Sequence, residues 1–443
     1  MATLTADPLA LAALLLAVLA AARLLEWLGR VADAGAGYKA KVLASAVFVS
    51  RREAAAVLAE DVALDSYRIL RLFRARVSRS SVTASFLGLR PRTATYREGR
   101  GATLGVIDSK IRKPPPAALS NFLINGTLLE GAFAEPDRLR LRRTRAVIVI
   151  RDGKVLAERY APGFGPGTAL CGWSMTKSVL GSLIGAAVGR GLLRPEDRGL
   201  LPAWNGPGDR RGAISLEDLL RMRSGLAFAE VYADPASDVT QMLFALPDTA
   251  RFAASKSLEA PPGTLWRYSS GTSNIVSGVL RRALERAGGD YHAFPRKALF
   301  GPLGMDSAVF ETDEAGTFVG SSFLYATARD WARFGQLHLQ DGVWAGNRLL
   351  PEGWVRFMTT PTAESPGGCY GAHWWLKVAR EMGGDSPEAR LVPVDAYHAF
   401  GHEGQCLTVI PSRGLVVVRL GLSIYIDAWN HAAFLAGLLR QLG

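Results

Sequence analysis

The stretch Trp173-Ser-Met-Thr-Lys-Ser-Val-Leu-Gly-Ser-Leu-Ile-Gly-Ala-Ala187 decides how the rest of the chain is read. Val179, Leu180, Leu183, Ile184 and Ala187 recur at helical spacing, so a helix starts near Ser174 and buries one apolar face. Ser174 and Lys177, three residues apart, share one side of its first turn. A serine there sits where backbone N–H groups and the helix dipole favour negative charge. An acyl-transfer nucleophile needs both features: an amine to manage its proton, and N–H donors aimed at the developing oxyanion. This is the only Ser-x-x-Lys in the sequence. Alone, the pair also fits a helix cap followed by a surface lysine.

Two further segments settle the choice. Pro261-Pro-Gly263 precedes Trp266-Arg-Tyr268-Ser-Ser270-Gly271, and a helical pattern then runs through Asn274, Val276, Val279 and Leu280. Phe400-Gly-His402-Glu-Gly404-Gln405 leads directly into an apolar strand at Cys406. Taken singly these are a core tyrosine and a Gly-rich turn. In this order, and in these contexts, they resemble the second and third signatures of Ser-x-x-Lys hydrolases, Tyr-x-Ser and His-x-Gly.

The surrounding pattern gives the fold class. Ala146–Ile150 reads as a buried strand, Asp152-Gly153 as a tight turn and Lys154–Tyr160 as the return strand. Cys406–Ile410 and Leu415–Leu420 flank Pro411-Ser-Arg-Gly414 as a second hairpin, and Ala432–Leu442 closes the chain as a helix. Strands at both ends with helices between predict an α+β fold. In it an antiparallel sheet is flanked by helices, with a helical subdomain and an N-terminal membrane helix.

Residues 138–443 resemble the β-lactamase superfamily of penicillin-recognising serine hydrolases. The likeness is to its class C-like branch, which includes 6-aminohexanoate-dimer hydrolases and related carboxylesterases. Trp173–Ser178 resembles the nucleophile segment of that branch. Leu219-Leu-Arg-Met-Arg-Ser-Gly225, Pro302-Leu-Gly-Met305 and Ala326-Thr-Ala-Arg-Asp330 resemble later stretches. Residues 1–137 fall outside the likeness. The resemblance implies Ser174 as nucleophile, Lys177 and Tyr268 as its proton-handling partners, and the backbone N–H groups of Ser174 and Gln405 as the oxyanion hole. It implies Tyr232, His402, Gly404 and Ser270 at the substrate, and no metal or organic cofactor. Where penicillin-recognising relatives place a lysine for the substrate carboxylate, this chain has His402. Esters or linear amides, small or oligomeric, are therefore the expected substrates. A peptidoglycan DD-peptidase or β-lactamase, and a catalytically inactive penicillin-binding-like scaffold, are the alternatives.

Composition narrows the partners. The chain has 443 residues, 49% hydrophobic and 21% charged, which is globular. Of the net charge of +12, a surplus of 10 lies in residues 1–143, which hold 22 Lys/Arg against 12 Asp/Glu. Behind an apolar segment such charge points to a membrane surface before nucleic acid, and a solvated Arg-rich surface with no partner fits it as well. Three scattered cysteines form no C-x-x-C pair, and His402-Glu403 lacks the second histidine of a zinc-protease helix. Gly-x-Ser-x-Gly and P-loop patterns are absent, and Gly163-Phe-Gly165-Pro-Gly167 reads as a turn.

Pro8 to Ala22 carries no charge and is extended past Arg23 by Leu24, Leu25, Trp27 and Leu28. With Asp7 and no Lys or Arg ahead of it, the run favours an uncleaved anchor over a cleaved signal or a buried helix. Ala32 to Gly37 reads as a small-residue linker. Val82–Phe86 and Thr93–Tyr96 read as a hairpin around Gly88 and Pro91, and Lys113-Pro114-Pro115-Pro116 as a boundary. The expected units are residues 1–31 (anchor or signal), 32–137 (basic preamble) and 138–443 (hydrolase). Arg23, Arg30, Lys39 and Lys41 favour a cytoplasmic C-terminal side. Relatives of this kind act outside the inner membrane, and the expectation is a periplasmic catalytic domain.

Overall fold

A computed structural model describes residues 8–62, 65–105 and 129–443. Its first element is one unbroken helix, α1 (Pro8–Phe48), whose two halves live in different surroundings. Residues 11–28 are exposed throughout, whereas Ala36, Ala40, Leu43 and Ala44 are fully buried. The linker expected at 32–37 is thus helical. Small residues serve close packing here instead of flexibility. A Cβ on Gly37 would lie 1.7 Å from the Phe244 carbonyl oxygen, and one on Gly35 2.4 Å from the Phe73 ring.

The expected hairpin forms, and it belongs to a larger sheet. β1 (Phe73–Val77), β2 (Ser81–Phe86), β3 (Leu89–Arg97) and β4 (Gly101–Leu104) pair in sequence order, all antiparallel. α1 lies across this sheet and buries Ala40, Leu43 and Ala44 against Val82, Ala84, Ala94 and Ala102. The boundary expected at Lys113–Pro116 lies outside the described residues.

The large sheet joins distant parts of the chain. β5 (Thr144–Arg151) and β6 (Lys154–Tyr160) are followed by β7 (Tyr397–Gly401), β8 (Gln405–Ile410) and β9 (Leu415–Gly421), in the spatial order β7-β8-β9-β5-β6. Asp152 and Gly153 both adopt positive φ, the geometry a two-residue hairpin requires. Both faces of the sheet are covered, which is why its strands read as continuous apolar runs and not as alternation. Ile148, Ile150, Leu407, Val416 and Val418 face a core shared with α2 (Thr176–Val188). Val147, Val149, Cys406 and Val417 face the C-terminal residues Leu435 and Leu438. The helical subdomain between the strand groups includes α3 (Asp238–Phe244) and α4 (Ser270–Arg286). α5 (Ala328–Leu339) packs on the sheet, and α6 (His431–Leu442) ends the chain.

Buried charge fastens the N-terminal unit to the rest. Lys41 pairs with Glu311, which also accepts from Ser45 Oγ (2.9 Å) and from the Ala102 N–H (2.6 Å). Within the unit itself, Lys39 donates to the carbonyls of Leu70 (2.9 Å) and Phe73 (2.7 Å). Asp61 receives Arg52 (2.6 Å) from its own unit and Arg145 (2.5 Å) from β5. Removing one partner of a buried pair leaves an uncompensated charge, at a cost of about 3–5 kcal/mol. Lys41→Met in the detergent-solubilised full chain should lose about that much stability in urea unfolding. An unchanged midpoint would show that the pair does not fasten the two units.

Candidate active site

Ser174 lies in a short turn, Trp173–Met175, that opens directly into α2. Trp173 adopts φ +47, an unfavourable conformation for a bulky side chain, so its surroundings must hold it. Its indole N–H donates to Glu403 Oε2 (3.0 Å), and its ring packs against Phe323 and edge-on to His402. Strand β7 comes close on the other side. A Cβ on Gly401 would lie 2.1 Å from the Gly172 carbonyl oxygen, so glycine is needed there. The Ser174 turn is thereby wedged between β7 and the Gly-rich turn after it.

Lys177 is buried, and its Nζ meets three oxygens: Ser174 Oγ at 2.8 Å, Ser270 Oγ at 3.1 Å and the Ser321 carbonyl at 3.0 Å. It also lies 4.8 Å from the centroid of the Tyr268 ring. Burial pushes the lysine down to about 8, with the Glu230 carboxylate opposing. The Tyr268 phenol moves the other way, raised by burial, with a hydrogen bond from Ser174 opposing and Glu230 adding to the rise. Tyr268 leans on Trp375 and meets Tyr370 edge-on, an aromatic cage that fixes its ring. One group that loses its proton near neutrality thus touches the serine, beside another that keeps its proton. Such a pair can take a proton and return one.

Ser270 and Gly404, expected at the substrate, have polar groups engaged within the protein. Ser270 is fully buried, and its hydroxyl bridges Lys177 and Glu230, donating to Glu230 Oε1 at 2.5 Å. Gly404 is turned inward, its carbonyl accepting from Arg419 Nη1 at 2.7 Å. The Gln405 side chain is likewise internal, bonded both ways to Gly421. Tyr232 and His402 do meet. Their rings stack at 4.8 Å and 14°, and burial pushes His402 down to about 4, so the imidazole is neutral at physiological pH.

Two contributors escaped the sequence reading. Glu230 accepts both the N–H (2.8 Å) and the hydroxyl of Ser270 at the head of α4, forty residues away in sequence. A following Tyr232 was the only visible hint. Tyr67, from the N-terminal unit, hydrogen-bonds His402 Nε2 (3.0 Å) and donates to Glu403 Oε1 (3.3 Å). Glu403 is raised to about 7 chiefly by burial, with Arg145 the leading opposing influence. Nothing in the sequence spacing ties Tyr67 to residues beyond 400. Among the described residues, no group of three or more His, Cys, Asp or Glu could hold a metal ion.

Solved structures share this architecture. A Bacillus anthracis protein provisionally named a 6-aminohexanoate-dimer hydrolase superposes with a TM-score of 0.55 at 20% identity, over 75% of this chain and 87% of its own. A family VIII carboxylesterase gives 0.55 at 14% identity, over 72% and 99%. The fold is that of β-lactamase-like and penicillin-binding-like proteins. By sequence, the chain is 26% identical over 309 residues to the 6-aminohexanoate-dimer hydrolase of Paenarthrobacter ureafaciens, covering 64% of this chain and 74% of that one. Residues 135–421 match the Beta-lactamase family, and the chain belongs to it.

The Glu230–Lys177 coupling has a measurable sign. The carboxylate stabilises the protonated lysine, so removing its charge lowers the lysine pKa further. If neutral Lys177 is the active form, the rising limb of kcat/KM is expected near 8 in the parent, and Glu230→Gln should shift it to lower pH. A limb that stays in place, or moves up, would dissociate Glu230 from the lysine.

Proposed function

We propose that the protein is a membrane-anchored serine hydrolase that cleaves esters or linear amides through an acyl-enzyme on Ser174. The observation that carries this reading is the 2.8 Å contact of Lys177 Nζ with Ser174 Oγ, made by a lysine whose pKa burial lowers to about 8. The 6-aminohexanoate-dimer hydrolase and carboxylesterase relatives support the same substrate class.

In this mechanism neutral Lys177 takes the Ser174 proton as Oγ attacks the carbonyl carbon. The tetrahedral oxyanion is met by the backbone N–H groups of Ser174 and Gln405. Tyr268, still protonated, gives its proton to the departing alkoxide or amine and regains one from protonated Lys177. Water then attacks the acyl-enzyme, with the same pair working in reverse, and the acid and free Ser174 are released. Ser270 and Glu230 hold the lysine in place. Ser174→Ala should therefore abolish hydrolysis of p-nitrophenyl esters with an unchanged circular dichroism spectrum. Activity above about a hundredth of the parent would count against Ser174, because loss of a nucleophile usually costs far more.

His402 argues against β-lactams as the preferred substrates. A neutral imidazole gives a substrate carboxylate roughly half the hydrogen-bond strength of a charged donor. Near 4, its pKa also leaves it neutral at pH 6, so acidification does not imitate a lysine. Esters and short linear amides should turn over faster than any penicillin, and His402→Lys should raise the rate of penicillin acylation. Penicillin turnover equal to that of the best ester, with no gain from lysine, would favour a β-lactamase.

The anchor reading rests on the exposed outer half of α1. Residues 8–28 span about 30 Å, the thickness of a bilayer core. We place the catalytic part in the periplasm. Lys39 is buried against carbonyls of the N-terminal unit and Lys41 against Glu311 of the hydrolase part, leaving Arg23 and Arg30 as the cations of α1 nearest the helix exit. Long domains also translocate largely regardless of charge.

A further inference from the structure

Because α1 is a single helix, it fixes where the site stands relative to a bilayer. Its exposed half gives way to packed residues between Gly29 and Ala32. Three parts of the fold gather at that level. Arg90 lies beside Gly29, within 3.2 Å of where its Cβ would be, and pairs with Asp33 at 2.5 Å. The tip of the β2–β3 hairpin precedes Arg90 and presents Leu87 and Leu89, 63% and 67% exposed. On another side Gln241 of α3 donates to the carbonyls of Arg30 (3.0 Å) and Pro235 (2.7 Å).

The direction of α3 shows what faces that level. Gly37 of α1 touches Phe244 at the C-terminal end of α3, and Arg30 meets Gln241 earlier in it, so the two helices run in the same direction. The loop before α3, residues 230–237, therefore points toward the end from which the outer half of α1 emerges. It carries Glu230 and Tyr232 of the site and, between them, Val231, an apolar side chain 51% exposed. Tyr38, which packs on Tyr67 and so reaches His402, stands only about 12 Å further along the helix axis.

We propose that this end of the molecule rests on the bilayer surface, with Leu87 and Leu89 dipping into it, and that the site takes acyl esters or amides of membrane-resident amphiphiles. The inference rests on the hydrolase and anchor readings above. A lipid surface, instead of a protein partner, is the occupant because the face is continuous with the apolar outer half of α1. Exposed leucines beside arginine suit the acyl–headgroup boundary. Arg30, exposed at that level, suits an anionic headgroup. Cleavage replaces the acyl C–O or C–N bond with one to Ser174 and then to water, and needs no further reactant.

The test uses the full chain in vesicles of phosphatidylcholine and phosphatidylglycerol, with two esters that release the same chromophore. p-Nitrophenyl acetate is presented in solution and p-nitrophenyl palmitate in the bilayer. Leu87→Ser/Leu89→Ser should leave acetate hydrolysis within about twofold of the parent. It should slow palmitate hydrolysis at least tenfold, since burying even one leucine is worth about a decade of partitioning. Equal palmitate rates for variant and parent would overturn the proposal. A parent that binds vesicles but cleaves only acetate would overturn it too, while leaving the hydrolase reading intact. A parent inactive on acetate would instead remove the hydrolase reading, and a chain that fails to bind vesicles the anchor. A solvent-sensitive dye on Leu89→Cys, with the labelled parent as blank, checks the contact without catalysis. Its emission should shift to the blue on vesicles, and an unchanged spectrum would place the hairpin tip in water.

Discussion

A buried amine is the constraint around which this molecule is arranged. Lys177 carries its charge inside a core, where an unpaired ammonium is costly, and it is tolerated because three oxygens surround it. Each comes from a different part of the chain: its own helix turn, the head of α4, and the segment after Glu311. The sheet holds α2, the aromatic cage holds Tyr268, and Glu230 reaches across to Ser270. The same burial that makes the lysine expensive lowers its pKa toward neutrality. On the proposed mechanism, structure and reactivity follow from one desolvation.

The second organising feature is the rigid N-terminal unit. α1 continues without a break from its exposed half into the fold, and Lys41–Glu311 and Asp61–Arg145 tie it to the body. Through Tyr67 it also touches the turn that carries His402 and Glu403. The family match begins at residue 135, so the contribution of this unit to the site lies outside the shared core. A relative with the same Ser-x-x-Lys helix and no such unit would have a differently walled site.

Local signals carried most of what could be read from the sequence. Ser174, Lys177 and Tyr268 stood in short segments whose helix or loop context was plain, and the structure brings them together. The apolar runs at 146–150 and 415–420 announced a doubly covered sheet. What stayed hidden depended on distance or on packing. Ala32–Gly37 resembled a linker because small residues serve flexible chains and tight helix contacts alike, and only the Phe244 backbone distinguishes them. Ser270 and Gly404 were assigned to the substrate by their neighbours in sequence, while their side chain and carbonyl point inward. Glu230 and Tyr67 belong to the site through folding alone.

The central claim is that Ser174 becomes covalently acylated with Lys177 as its base. Intact-protein mass spectrometry after exposure to a fluorophosphonate, followed by peptide mapping at several pH values, tests it directly. The account predicts one adduct, on Ser174, whose rate of formation rises through a pKa near 8. Labelling at another residue, or a Ser174 rate indifferent to pH between 6 and about 9, would contradict it.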